Sequence, residues 1–171
     1  MRHVRLDRPA AGTTRIVLDL DGAARYSLYP RYAPFRLVID VERAIGERTV
    51  AVMLEPIQGE SGINVLPDEL LAAARDACDR SGAALVFDEI QCGVGRTGTF
   101  FAYQNFSPPV QPDIMVAAKP LACGIPLGVI MANEKAAAAI KPGMHGSTFG
   151  GGALACRVAL EFLDILDELL P

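Results

Sequence analysis

Along the chain, apolar residues gather in short runs separated by glycine- and proline-rich stretches, and their spacing switches between a strand-like and a helix-like period. Thr49 to Leu54 and Ala83 to Phe87 read as buried strands, the first stopped by Glu55-Pro56. Between them, Pro67-Asp68-Glu69 supplies the proline and first-turn acids of a helix start. Leu70, Leu71, Ala74 and Cys78 give that helix a buried face, and Gly82 ends it. A strand, a helix and a strand in this order predict a right-handed crossover between parallel strands.

Ile114 to Ala117 and Leu127 to Met131 extend the sheet. Helices are expected from about Asn133 to Ile140 and from Gly152 to Leu170, the latter with the stripe Leu154, Val158, Phe162, Ile165, Leu166 and Leu169. Nearer the start, Ile16-Val17-Leu18 reads as one short strand and Asp21-Gly22 as a turn, and Leu37 to Ile45 reads as a short helical stripe ended by Gly46. The fold class is α/β, a parallel-rich sheet with flanking helices.

Bulk properties narrow the function classes. At 171 residues, 51% hydrophobic and 21% charged, the chain suits one globular domain with a real core. Residues 1 to 48 carry nine Arg against six acids, whereas residues 49 to 171 carry seven basic groups against fourteen acids. The basic excess is interrupted by Asp7, Asp19 and Asp21 and has no aromatic interleaving, so no nucleic-acid partner is expected. Cys78, Cys92, Cys123 and Cys156 lie far apart, and with two histidines they fit neither a metal site nor a disulfide framework. Reduced thiols in a cytoplasmic protein fit best. No apolar run approaches the roughly 18 residues of a membrane span, so no membrane partner is expected either.

Candidate chemistry collects at the carboxyl ends of the strands, where open parallel sheets bind ligands. Glu55 with Glu60, Asp88 with Gln91, and Lys119 stand at three such ends. Gly93-Val94-Gly95-Arg96-Thr97-Gly98 fits the dinucleotide pattern G-x-G-x-x-G, but no clear amphipathic helix follows Gly98, and Asp113 precedes a strand instead of ending one. Ser147 beside His145 lacks the G-x-S-x-G elbow of a hydrolase.

Four segments occur in order: Glu55-Pro56-Ile57-Gln58-Gly59-Glu60-Ser61-Gly62; Phe87-Asp88-Glu89-Ile90-Gln91 running to Gly98; Pro112-Asp113-Ile114 leading to Ala118-Lys119-Pro120-Leu121; and Pro142 to Gly151 around Ser147-Thr148-Phe149. Together they resemble the class III aminotransferases, over about residues 32 to 171, with wording most like the acetylornithine and ornithine members. The resemblance implies part of the large domain of a pyridoxal-phosphate-dependent transferase of the aspartate aminotransferase type. It implies pyridoxal 5'-phosphate as cofactor, an amino acid such as N-acetylornithine and the 2-oxo acid 2-oxoglutarate as substrates, and a place in arginine biosynthesis.

By the same resemblance, Lys119 bonds the cofactor's aldehyde and, once displaced by the substrate amine, shuttles the proton. Asp88 holds the pyridine nitrogen protonated. Gln91 bonds the phenolic oxygen and Ile90 packs on one ring face. Ser147 and Thr148 reach the cofactor phosphate of the partner subunit, which implies a homodimer with its active site at the interface. Glu60 matches the acid that pairs with an arginine guarding the substrate carboxylate pocket, or serves only as a loop cap after Gly59.

Family members are longer. Residues 1 to 31 stay unassigned and match neither the family's upstream phosphate loop, nor its ring-stacking aromatic, nor its carboxylate-binding arginine, so residues 32 to 171 are expected to be the second half of the cofactor domain. The alternative is a catalytically silent fragment of such an enzyme. Ala122-Cys123-Gly124 stands where a glycine-rich turn is usual.

Overall fold

The computed structural model describes residues 3–10, 13–19, 26–32, 35–41, 45, 48–60, 62–148 and 150–170. These fall into two compact units that divide after Arg48. The first holds two antiparallel hairpins, β1 (His3–Ala10) with β2 (Thr13–Asp19), and β3 (Tyr26–Tyr32) with β4 (Phe35–Val41). Ile16-Val17-Leu18 lies in β2, as its composition suggests. Leu37 to Val41 is strand and not helix: Phe35-Arg36-Leu37-Val38-Ile39-Asp40-Val41 is dense in β-branched residues and pairs residue for residue with β3. The Asp21-Gly22 turn and Gly46 lie outside the described residues.

The second unit is built on a four-stranded sheet, β5 (Ala51–Leu54), β8 (Ala84–Asp88), β9 (Ile114–Ala117) and β10 (Val129–Ala132), with β9 and β8 inside. Strands β5, β8 and β9 are parallel, and β10 returns antiparallel against β9. A small hairpin, β6 (Ile57–Gln58) with β7 (Asn64–Val65), follows β5. Helix α1 (Asp68–Ser81) crosses from there to β8 and ends on Gly82 at φ 76°, a left-handed cap that glycine adopts without steric cost. Helix α2 is the short Glu134–Ala137, capped by the Asn133 carboxamide accepting from the Ala136 N–H at 2.9 Å. Helix α3 spans Ala153–Leu169.

Burial alternates along the strands instead of being continuous. Leu85, Phe87, Met115 and Ala117 face the core, while Met53 and Ile130, on the opposite face, are exposed. Leu71, Ala74 and Cys78 of α1 pack with Leu85, Phe87, Met115, Tyr103 and Phe106. Leu70, assigned to the helix's buried face by spacing, is 45% exposed. Helix α3 packs beside Val94, Ala117 and Leu121, but through Ala155 and Ala159, with Val158, Phe162, Leu163 and Leu166 alongside. Leu154, Ile165 and Leu169 of the expected stripe are exposed. The small alanines let the helix backbone approach the sheet, so the contact face is rotated from the one that side-chain size alone suggests.

One carboxylate ties these layers together. Asp113, just before β9, accepts the Leu85 N–H at 2.8 Å and Arg75 Nη1 at 2.9 Å on Oδ2, and the Asn133 carboxamide at 2.8 Å on Oδ1. Its own N–H donates to Leu85 O at 2.8 Å, and its carbonyl takes the Asn133 N–H at 2.8 Å. Helix α1, β8, β9 and the β10–α2 junction therefore meet on one residue. Burial alone would raise the Asp113 pKa, but the Leu85 N–H and the Arg75 guanidinium outweigh it and hold the carboxyl below the ordinary Asp range.

A depressed folded-state pKa contributes stability that is present above the unfolded value of about 3.9 and is lost as pH falls through the folded value. Asp113→Asn should therefore cost about 1–3 kcal/mol at neutral pH by leaving partly buried donors unmatched. Thermal melts followed by circular dichroism should show the gap between wild type and variant narrowing in acid. A gap of constant size across that range would refute this role for Asp113.

Candidate active site

The parallel register sets out the candidate residues. Leu54 pairs with Phe87, and Asp88 pairs with Val116 on the neighbouring strand, so Glu55, Asp88 and Ala118-Lys119 leave three adjacent strands at the same edge. Parallel neighbours lie about 4.8 Å apart. Asp88 is half-buried and its Oδ1 accepts the Ile90 N–H at 3.0 Å, which turns the chain sharply after β8. Glu55 Oε2 takes the Gly59 N–H at 3.2 Å and closes the loop that carries Glu60.

A cavity of about 670 Å³ opens beside these strand ends, a size ordinary for a small-molecule site. Lys119, Gln91, Arg96 and Thr97 supply its polar groups, and Ile57 and Ile63 are among its apolar walls. Lys119 is 54% exposed, and its Nζ lies 4.0 Å from Glu60 Oε1. The Gln91 carboxamide packs directly on Gly59, where a Cβ would occupy the same space. Lys119, Gln91 and Glu60 are thus brought together. Ile90 is half-buried in the turn after Asp88, outside the cavity lining. Ser147 and Thr148 are exposed and also outside the lining, with Ser147 O taking the Gly150 N–H at 3.4 Å.

Sequence reading passed over Arg96, Thr97 and Glu89. Arg96 and Thr97 sit in a tight turn closed by the Gly98 N–H on Gly95 O at 3.2 Å. Gly95 has φ 83°, and a Cβ there would lie 2.7 Å from Leu166 Cδ1 of α3. The glycines of this dinucleotide-like stretch thus serve a turn and a close helix approach. Glu89 is fully buried. Its signal was parity: Ala83, Leu85, Phe87 and Glu89 share the buried phase of the strand, so an acid there needs internal donors. Burial pushes its pKa up, against the lowering effect of two backbone N–H groups. Burial, then the Glu89 charge, raise the Cys92 thiol to about 11, so it is protonated at neutral pH and no nucleophile.

With this geometry in place, the comparisons converge. A model of the family "Aminotransferase class-III" matches residues 27–170. This chain belongs to the class-III aminotransferases. Its relatives include the acetylornithine aminotransferases of Neisseria meningitidis, 45% identical over 163 residues, and of Methanocaldococcus jannaschii, 44% identical over 147 residues. They cover 91% and 85% of this chain but 40% and 36% of their own lengths, so the chain spans about two fifths of the curated relatives it matches. Among solved structures, the ornithine aminotransferase of Toxoplasma gondii superposes with a TM-score of 0.66 at 41% identity, covering 71% of this chain and 29% of that one. The acetylornithine aminotransferase of Elizabethkingia anophelis gives 0.63 at 40% identity over 69% of this chain and 29% of its own. The sheet with its helices is accordingly part of the aminotransferase large-domain fold.

Among the described residues of this class-III chain, three other than glycine adopt left-handed backbone, all in the loops that carry or follow cavity residues. Ile63 (φ 58°) lines the cavity, Val94 (φ 55°) sits between Cys92 and the Arg96 turn, and Cys123 (φ 52°) follows Lys119. Cys123 is exposed, so no packing offsets the cost of this conformation, about 1–2 kcal/mol for a residue with a Cβ. Glycine there would recover that cost less the roughly 0.5–1 kcal/mol it loses in unfolded-state entropy. Cys123→Gly should thus stabilise the chain by about 0.5 kcal/mol or more in urea unfolding. A clear destabilisation would show that the cysteine side chain holds this turn.

Proposed function

We propose that this chain forms the lysine-bearing part of a pyridoxal-phosphate aminotransferase that passes an amino group from N-acetylornithine, or a similar ω-amine, to 2-oxoglutarate in arginine biosynthesis. The observation that carries the reading is a cavity holding the Lys119 amine at the end of β9, beside the β8 end that bears Asp88 and Gln91. The acetylornithine and ornithine aminotransferases among its relatives support the choice of substrate, and a T. gondii ornithine aminotransferase structure described with partial pyridoxal-phosphate occupancy supports the cofactor.

The residues fit that cofactor. An amine, a carboxamide, a guanidinium and a hydroxyl share the cavity with apolar side chains, a donor set suited to an anionic, aldehyde-bearing heterocycle. When bound, pyridoxal phosphate supplies the aldehyde that bonds amines and the protonated ring that draws electrons from the substrate carbon.

The chain's own groups do the rest. Lys119 Nζ is the amine that holds the cofactor and, released, carries the proton at the reacting carbon. Asp88 would hold the proton on the ring nitrogen, because an opposite charge within hydrogen-bond reach favours the charged form. Gln91 donates toward the phenolic oxygen, with its carboxamide held in place against Gly59. Ile90, in the turn after Asp88 and outside the present cavity lining, would cover a ring face. Glu60, 4.0 Å from Lys119 Nζ, would pair with an arginine that guards the substrate carboxylate pocket. Ser147 and Thr148, exposed and outside this cavity, serve the phosphate of a partner subunit in a homodimer. Residues 32 to 171 form the second half of the cofactor domain, in a cytoplasmic enzyme.

Borohydride reduction after incubation with pyridoxal phosphate should fix the cofactor to Lys119 alone among the three lysines, mapped by peptide mass spectrometry. Lys119→Ala should abolish the adduct. Labelling centred on Lys135 or Lys141 would sink the assignment.

A further inference from the structure

Glu89 joins the strand leading to Lys119 with the loop and turn beyond it through four hydrogen bonds. Its N–H donates to Val116 O at 2.9 Å, on the strand that runs into Lys119. Its carbonyl takes the Gly93 N–H at 3.0 Å, and its two carboxylate oxygens each accept one donor: Oε2 the Ala102 N–H at 2.7 Å, Oε1 the Tyr103 N–H at 2.8 Å. Gly93 packs so closely on this side chain that a Cβ would come within 2.9 Å of Oε2.

Ala102 and Tyr103 open a short 3-10 turn, Ala102–Asn105, whose last residue reaches back toward the cavity. Asn105 Nδ2 donates to Thr97 Oγ1 at 3.1 Å and to Thr99 Oγ1 at 2.7 Å. Thr97 and its neighbour Arg96 line the same cavity as Lys119. The turn itself is braced by the Gly95 N–H on Phe100 O at 3.1 Å. From Val116 to Thr97 the path is continuous: strand, Glu89, 3-10 turn, Asn105, cavity wall.

We propose that Glu89 is a positioning residue that fixes the Arg96–Thr97 wall of the cavity relative to Lys119, acting through the 3-10 turn and Asn105. This inference rests on reading the cavity as the cofactor site. Only a carboxylate satisfies the geometry. Two backbone donors converge from adjacent residues, each needing its own acceptor, and the amide of a glutamine offers one acceptor and presents a donor to the other N–H. A backbone donor left unmatched in a fully buried place is costly, so the turn would shift instead, taking Asn105 and the Thr97 side chain with it. The Asp88 carboxylate, one residue earlier, would keep its own turn to Ile90.

The experiment compares Glu89→Gln and Asn105→Ala with Cys78→Ala, a buried change in the core that also holds the Tyr103 ring but that removes none of these hydrogen bonds. Asn105 is exposed, so its variant tests the path even where Glu89→Gln fails to fold. Pyridoxal-phosphate titration should show binding weakened at least about tenfold in both path variants, the scale of one lost hydrogen bond with an unmatched donor. Hydrogen–deuterium exchange should rise across residues 95 to 105 in both, and neither change should appear in Cys78→Ala. Unchanged exchange across that segment, or cofactor binding that merely tracks the thermal stability of all three variants, would overturn the proposal. A wild-type chain that takes up no pyridoxal phosphate would refute the proposed function, and the exchange readout would still decide the role of Glu89.

Discussion

Everything near the cavity depends on the register of β8 between β5 and β9. A strand has a two-residue period, so slipping this pairing by one position would send Asp88 into the core and Glu89 to the open face. Two backbone clamps prevent the slip. At the start of β8, Leu85 exchanges both of its hydrogen bonds with Asp113, through that residue's carboxylate and its N–H. At the end, Glu89 donates to Val116. The adjacent acids of the Asp88-Glu89 pair thus do different work. One caps the turn after β8 through the Ile90 N–H, and the other is buried against the 3-10 turn.

The same logic explains how far the sequence was legible. Strands β5, β8 and β9 and helix α1 follow from period and punctuation alone, because Pro67, Gly82 and the apolar runs leave few alternatives. Strand β4 was misread because seven residues rich in branched side chains satisfy a helical stripe almost as well, and the hairpin partner that decides the matter lies in another segment. Half of the α3 stripe was legible, since Val158, Phe162 and Leu166 do pack, and Leu154, Ile165 and Leu169 were misassigned for a related reason. Alanines 155 and 159 contribute little to a hydrophobic stripe yet permit the close approach that brings Leu166 onto Gly95.

For the site, Lys119, Asp88 and Gln91 drew attention through the four ordered motifs around them, since each alone has an ordinary structural use, and of the three Lys119 and Gln91 line the cavity. The supporting residues were passed over. Arg96 and Thr97 owe their positions to a turn conformation, and the one signal for Glu89 was its parity with Ala83, Leu85 and Phe87 in the buried phase of a strand. Ser147 and Thr148 lie exposed and outside the cavity lining, so their motif alone singled them out.

The loops around the cavity carry the remaining physical argument. Ile63, Val94 and Cys123 all adopt backbone that disfavours residues with a Cβ, and the first two are β-branched, for which that conformation is least favourable. Strain of this kind persists only where neighbouring structure over-determines it. For Val94 the surroundings are clear: the buried side chain packs with Ala117, Leu121 and Ala159, and the Gly93 and Gly95 N–H groups on either side bond Glu89 and Phe100. The loop is therefore held from three directions at once, by α3, by the strand and by the 3-10 turn. A wall fixed this way can present the guanidinium and hydroxyl of Arg96 and Thr97 without reorganising when a ligand arrives, which is the condition for spending binding energy on the ligand instead of on the protein.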